Sequence, residues 1–369
     1  MNIFSSYKLL FLPVSITLFA LLTISCKLFR NEDEPIKDPR TYSFTIDTLR
    51  FHNSQQLIFQ NIWGTNYNNV YHVGSSDIGF GMMHHFNGEN WELVPLHISV
   101  GGSVGGISMQ IRDVYGFSKD DMWAVGYYLT NETIEGVPGP EKSLIIHYDG
   151  INWERAEIPM ASEIFKIGGN SPSNLFAGGT YGKLYHYNGL EWELDSIPLP
   201  KEQFSGYFSH FRAITKSSND SVYAIASNLG GYDYLLLNSN SQWTVVDSFE
   251  YNNKLHNIWL SPSGRLYSAG NQNVSVWDGA QWKLIFESEH YFKDIMGTND
   301  NNIFVIGQRH GEDGYGVGVI LHYNGTDWYQ YPDVTTEWGD NQRVHVNTNS
   351  IFCSMQNNDQ SISIIIRGE

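Results

Sequence analysis

Gln60, Arg112, Phe165, Arg212, His256 and Lys293 occupy one recurring place in six successive stretches of the chain. Each stands four residues before a landmark position held by Gly64, Gly116, Gly169, Lys216, Leu260 and Gly297. Two arginines, a lysine and a histidine at one place stand out in a 369-residue chain of formal net charge −17. Guanidinium, ammonium and imidazole groups converging on one mouth would hold an anionic ligand, such as a uronate or another carboxylate, through charge-assisted hydrogen bonds. The competing reading is ordinary pairing with neighbouring acids such as Asp113 and Asp294, because ion pairs at strand ends are common and weak.

Other residue types capable of chemistry fall short of a site. His85, His147, His186 and His322 share a second recurring position, just before Phe or Tyr. Repeat geometry holds them apart, whereas a metal needs its ligands at about 2 Å from one centre. The glycine runs at 101–106 and 314–318 resemble phosphate loops but open no helix, whose terminal amides a phosphate cradle requires. His310-Gly311-Glu312-Asp313 lacks the alternating carboxylates of a calcium loop. Glu132, Glu135, Glu312 and Asp313 are the loop carboxylates able to form an acid/base pair, and a separation of about 5 to 9 Å would mark a glycosidase. No Ser-His-Asp or Cys-His arrangement is legible from spacing. Catalytic residues, metals and cofactors are therefore not expected.

These residues are positioned by a repeat. Its fullest copy reads Asp113-Val114-Tyr115-Gly116, Asp121-Met122-Trp123-Ala124-Val125-Gly126, His147-Tyr148-Asp149-Gly150 and Trp153. Closing tryptophans follow at Trp91, Trp153, Trp192, Trp243, Trp282 and Trp328. The landmark is always followed ten residues later by Gly74, Gly126, Gly179, Ala226, Gly270 or Gly307. Each unit predicts four strands A to D, with Asn-Gly or Asp-Gly between C and D, where both turn residues must tolerate positive φ. Unit four has Ser239-Asn240 there, which predicts a looser hairpin. Repeats of this length built of short strands predict an all-β, seven-bladed β-propeller. Six blades are complete, and the seventh combines C-terminal strands at 344–346, 351–355 and 361–366 with an N-terminal strand within 42–51. Such closure removes open sheet edges. A six-bladed ring with a separate tail is the alternative.

The units resemble those of secreted bacterial β-propeller proteins carrying a D-V-W-A-V-G … H-Y-D-G-x-x-W pattern, with a distant likeness to Kelch blades at Gly178-Gly179, Tyr187 and Trp192. This resemblance spans about residues 55 to 330 and implies the fold without a particular chemistry. The Ser-x-Asp-x-Gly-x-Thr-Trp turn of sialidase-type propellers is absent.

Residues 1–25 look like a bacterial lipoprotein signal peptide: Lys8, an apolar run at 9–22, then Thr23-Ile24-Ser25-Cys26, with Cys26 the lipidation site. The run is shorter than the roughly 20 apolar residues that span a bilayer. Residues 26–40 read as a charged tether and 41–369 as the propeller. The expected address is the cell envelope, lipid-anchored at the outer membrane, with the periplasmic and surface sides both open. Cys353 then remains alone, as a buried small hydrophobe. Strong acidity disfavours nucleic acid, which needs a basic footprint. A monomer is expected, touching the membrane only through its lipid.

In a four-stranded meander the B–C loops and D–A connections emerge on one face. Every long insertion, at 97–110, 127–142, 200–210 and 308–318, falls there. Function concentrates on such loops. Tyr127, Tyr128, Phe204, Tyr207, Phe208 and Tyr315 lie in or beside them and are expected as exposed platforms around the basic mouth of Arg112, Arg212, His256 and Lys293. The favoured function is a binding module for an envelope protein or an anionic glycan. A glycan hydrolase or lyase at the channel mouth and a structural envelope component are the competing classes.

Overall fold

Period-two alternation and turn residues at regular intervals fold the chain into antiparallel meanders. The computed structural model describes residues 36–50, 53–78, 81–96, 98–100, 103–104, 109–129, 133–134, 137–138, 141–158, 163–204, 206, 209–215, 221–250, 255–310, 316–332, 342–356 and 362–369. Unit one consists of Leu57–Asn66, Asn69–Ser76, Gly81–Phe86 and Trp91–Leu93, each strand pairing with the next. Units two, three and four repeat that order, starting from the inner strands Met109–Ser118, Ile164–Ser171 and His210–Ile214. Large side chains such as Phe59, Phe176, Phe211 and Phe304 are completely buried in the clusters that make up the core.

The fold is a β-propeller, and the count of seven blades is corrected to six. Trp282–Asn299 runs unbroken from the closing tryptophan of unit five into the inner strand of unit six. Leu266–Trp277 likewise joins two expected strands of unit five into one. Units five and six therefore share a single six-stranded sheet, beside five four-stranded ones. No proline or paired turn residues break 282–299, and its irregularity at Ser288, whose Oγ accepts from His290 N at 3.0 Å, is absorbed within the strand.

The N-terminal strand lies within the ring rather than in a separate tail. Phe44–Leu49 pairs antiparallel with Ser363–Gly368, from Phe44 opposite Gly368 to Leu49 opposite Ser363. Arg367 Nε donates to Asp47 Oδ2 at 2.5 Å and its Nη2 to Asp47 Oδ1 at 3.2 Å. Further back, Arg40 Nη2 donates to Asp327 Oδ1 at 2.9 Å, and the Tyr331 hydroxyl to the Pro39 carbonyl at 2.8 Å. Cys353 is buried on Ser350–Gln356, and burial pushes its thiol well above the ordinary range.

The hairpins between third and fourth strands use side-chain capping. Asn87 Oδ1 accepts from the amides of Glu89 and Asn90, and Asp149, Asn188, Asp278 and Asn324 do the same in their units. The following glycine takes positive φ, as at Gly88 with 101°. Unit four is corrected from loose to tight. Ser239 pairs with Gln242 across a two-residue turn, and Asn240 and Ser241 have φ of 51° and 59°. Two positive φ values are what a type I′ hairpin demands.

The repeated histidines are structural. His85, His147, His186 and His322 place Nε2 at 2.8, 2.8, 2.8 and 3.0 Å from side-chain oxygens of Asn69, Asp121, Asn174 and Asn302. Each packs against the aromatic ring beside it in the sheet: Tyr71, Trp123, Phe176 or Phe304. Burial pushes His322 down to about 4.

Candidate binding site at the channel mouth

A β-bulge aims the recurring side chains into the mouth. In unit one the register slips between Phe59 and Asn61, leaving Gln60 as the extra residue. Slips at the same place leave Arg112, Phe165, Arg212, His256 and Lys293. A bulge bends its strand and turns one side chain out of the pleat. It also explains the glycine ten residues past the landmark. A Cβ on Gly126 would lie 1.9 Å from the Gln110 carbonyl oxygen, and one on Gly307 2.2 Å from that of Tyr291. The bulged backbone fills the space a side chain would need.

All six bulge residues line one cavity of about 390 Å³, joined by Lys166, His210, Phe211 and Arg343. Sequence reasoning missed Arg343, at the start of the inner strand Arg343–Asn347. A signal was present: Arg343 precedes Val344-His345-Val346 as Arg112 precedes Asp113-Val114-Tyr115. Lys166 and Arg343 also line the narrow channel below, among Asn61, Asp113, Asn257 and Asp294. Five cationic side chains thus face one mouth.

Asp113 and Asp294, the acids nearest the mouth in sequence, each bond across to a neighbouring inner strand. Asp113 Oδ1 accepts from the Asn61 side chain and from its neighbour's amide, Val114 N, at 2.9 Å, while Oδ2 accepts from Ile167 N at 3.0 Å. Asp294 repeats this with the Asn257 side chain, Ile295 N and Val344 N. Both carboxylates thereby tie one inner strand to the next. Two other acids meet the arginines. Buried Glu163 accepts from Arg112 Nε at 2.8 Å and also pairs with its Nη2. Asp233, fully buried and bonded to Ser227, lies 4.0 Å from Arg212 Nη1. Arg212 Nη2 is 3.4 Å from His256 Nδ1, and His256 Nε2 is 3.3 Å from Asn271 Oδ1. An arginine donor at Nδ1 requires an imidazole protonated on Nε2 alone.

The expected exposed aromatic platforms are corrected at three positions. Tyr127 and Tyr128 are buried at 8 % and 3 % exposure because Asp121–Leu129 continues through them as strand. The Arg112 guanidinium lies 5.4 Å from the ring centroids of both Tyr127 and Phe165, and Arg155 lies 5.3 Å from that of Tyr128. Phe204 is buried edge-on against Tyr234. Tyr207, Phe208, Tyr315, Cys26 and the loop carboxylates Glu132, Glu135, Glu312 and Asp313 lie outside the described residues. Among the described residues no group of three or more His, Cys, Asp or Glu side chains is arranged to hold a metal, and no helix is long and apolar enough to cross a membrane.

No protein-family model and no curated protein matches the chain. Solved structures do. YCF48 bound to D1 peptide superposes with a TM-score of 0.58 at 16 % identity, covering 90 % of this chain and 97 % of that one. YCF48 from Cyanidioschyzon merolae gives 0.58 at 13 % identity over 87 % and 98 %. The WD40 β-propeller domain of Doa1 gives 0.54 at 10 % identity over 88 % and 97 %. At such identities the likeness establishes the propeller fold.

Proposed function

We propose that this protein is a binding propeller of the bacterial cell envelope that captures a negatively charged segment of a protein partner at the axial mouth. The observation that carries this reading is the convergence of Arg112, Lys166, Arg212, Lys293 and Arg343 on one cavity in a chain of net charge −17. Arg112 pairs there with buried Glu163, and Arg212 lies 4.0 Å from buried Asp233. A similar propeller bound to a peptide supports a protein segment as the ligand.

Fluorescence anisotropy of the full chain with an Asp/Glu-rich peptide tests the reading, with an Asn/Gln-rich peptide of equal length as control. The acidic peptide binds and the neutral one does not. Arg343→Ala and Lys293→Ala each weaken binding roughly tenfold, the value of one charge-assisted hydrogen bond. Lys119→Ala, on the short-turn face, leaves it unchanged. Equal affinity for both peptides refutes the reading, and binding of polygalacturonate alone assigns the mouth to an acidic glycan instead.

Anchoring through a lipid on Cys26 completes the proposal, supported by the apolar run before Thr23-Ile24-Ser25-Cys26. Metabolic labelling with a fatty-acid probe marks the wild-type chain and not Cys26→Ser. An unlabelled wild type removes the anchor.

A further inference from the structure

The closing tryptophans are not held alike. Trp91 Nε1 donates to Asp47 Oδ2 at 2.9 Å, and Trp243 Nε1 to Asp195 Oδ2 at 2.9 Å. Each acceptor stands three residues past the closing aromatic of the preceding unit, Asp47 after Phe44 and Asp195 after Trp192. Ahead of Trp153 that place belongs to Val94, three residues past Trp91. An isopropyl group accepts no hydrogen bond, and the indole N–H of half-buried Trp153 makes none among the described residues. The indole nitrogens of Trp192 and Trp282 also lack a partner but are sealed inside packed side chains. Trp153 instead borders an open groove between units one and two, of about 730 Å³.

The groove's walls define its chemistry. Trp153 and Tyr148 form an aromatic platform, their ring centroids 5.4 Å apart and inclined at 35°. Asn152, Glu154 and Arg155 stand around it, with Val94 and Pro95 opposite. Asn152 offers a donor and an acceptor, Glu154 acceptors only, Arg155 and the indole donors only. We propose that this groove is a carbohydrate site, taking a neutral pyranose of a glycan with its apolar face on Trp153 and a hydroxyl oxygen at the indole N–H. Hydroxyl groups both donate and accept, so they satisfy such a mixed wall. Arg155 is itself 3.9 Å from Glu157 Oε2 and Glu154 stands beside it, so the wall carries no positive surplus to attract an acidic sugar. The volume suits a mono- or disaccharide. This site is separate from the mouth and does not depend on what the mouth binds.

Saturation-transfer NMR and calorimetry on the full chain, in a sugar-free detergent, test the assignment. The probes are methyl glycosides of glucose, galactose, mannose and N-acetylglucosamine and the β-1,4-linked disaccharides of glucose and N-acetylglucosamine. At least one binds. Trp153→Ala weakens it roughly tenfold or more, as expected when a stacking platform is lost. Trp153→Phe, which keeps a platform without the N–H, gives an intermediate loss. Val94→Asp supplies the missing carboxylate, ties the indole down, and abolishes binding while raising the thermal midpoint. Arg343→Ala at the mouth has no effect. The proposal is overturned if no saccharide binds, if binding survives both Trp153→Ala and Val94→Asp, or if a proline-rich peptide occupies the groove in place of the sugars.

Discussion

Arg112 and Arg343 face the same mouth under different constraints. Arg112 is fixed by buried Glu163 and lies near the Tyr127 and Phe165 rings, so removing its guanidinium leaves a carboxylate buried without its partner. Such a loss costs about 3 to 5 kcal/mol. Arg343 donates from Nη1 to the Gln342 carbonyl at 2.7 Å and makes no hydrogen bond to a carboxylate among the described residues. Urea unfolding should therefore show a large fall in midpoint for Arg112→Ala and a shift under about 1 kcal/mol for Arg343→Ala. Equal losses would mean that the two side chains share one structural role. Two buried histidines make a second prediction. His72, stacked on Phe59 at 4.1 Å, finds no partner for either ring nitrogen, and His84 faces it across the strand pair. Burial pushes His72 well below the ordinary range, with the nearby His84 adding to the shift, and burial lowers His84 to about 4. Between that value and about 6.5 the unfolded chain binds more protons than the folded one, so stability is full above the window and falls as the pH drops through it. The slope is about 1.4 kcal/mol per pH unit for each fully shifted histidine. Denaturation midpoints measured from pH 7.5 to 4.5 should fall along that line, and His84→Leu should make the slope shallower.

Closure of the ring is an element-scale matter, and it depends on one short strand. Asp47 receives Arg367 from the paired strand and the Trp91 indole from the next sheet, so it joins three elements. Asp47→Ala should cost about 3 kcal/mol, as for breaking a part-buried ion pair, and starting the chain after residue 50 should cost more. A melting curve unchanged by that truncation would show the strand to be dispensable. This closure was legible in the sequence because residues 44–49 alternate and the last unit lacked a fourth strand. The sheet count was not, since alternation looks the same whether a strand ends at a sheet edge or runs on, as 282–299 does. The mouth was half legible. Residue spacing located Arg112, Arg212, His256 and Lys293, but the bulge that aims them leaves the surrounding alternation intact, and only the recurring glycine hints at it. Arg343 escaped because its unit was read from its strands alone, without the closing tryptophan and ten-residue spacing that aligned the other six. Tyr127 and Tyr128 were misread as loop residues because no turn residue marks where their strand stops, and it runs on to Leu129.

At the scale of the whole molecule, a cationic mouth is set in an anionic body. The two fields have different reach, and salt separates them. At about 0.01 M the Debye length is about 30 Å, so an approaching acidic peptide first meets the net charge of −17; at about 0.15 M it falls to about 8 Å, and the distant repulsion is screened. Contacts inside the cavity are partly desolvated and lose less. The association rate of the acidic peptide should therefore rise as salt increases across this range, while the dissociation rate also rises as the final ion pairs weaken. Stopped-flow anisotropy at several salt concentrations reads both rates. An ordinary basic binding surface behaves in the opposite way, its association rate falling steeply with salt. A falling association rate here would show that the mouth's own field dominates at a distance and that the acidic body is electrostatically silent in capture. Replacing Lys293 and Arg343 together by alanine should preserve the rise with salt and remove most of the residence time, because the body sets the approach and the mouth sets the hold.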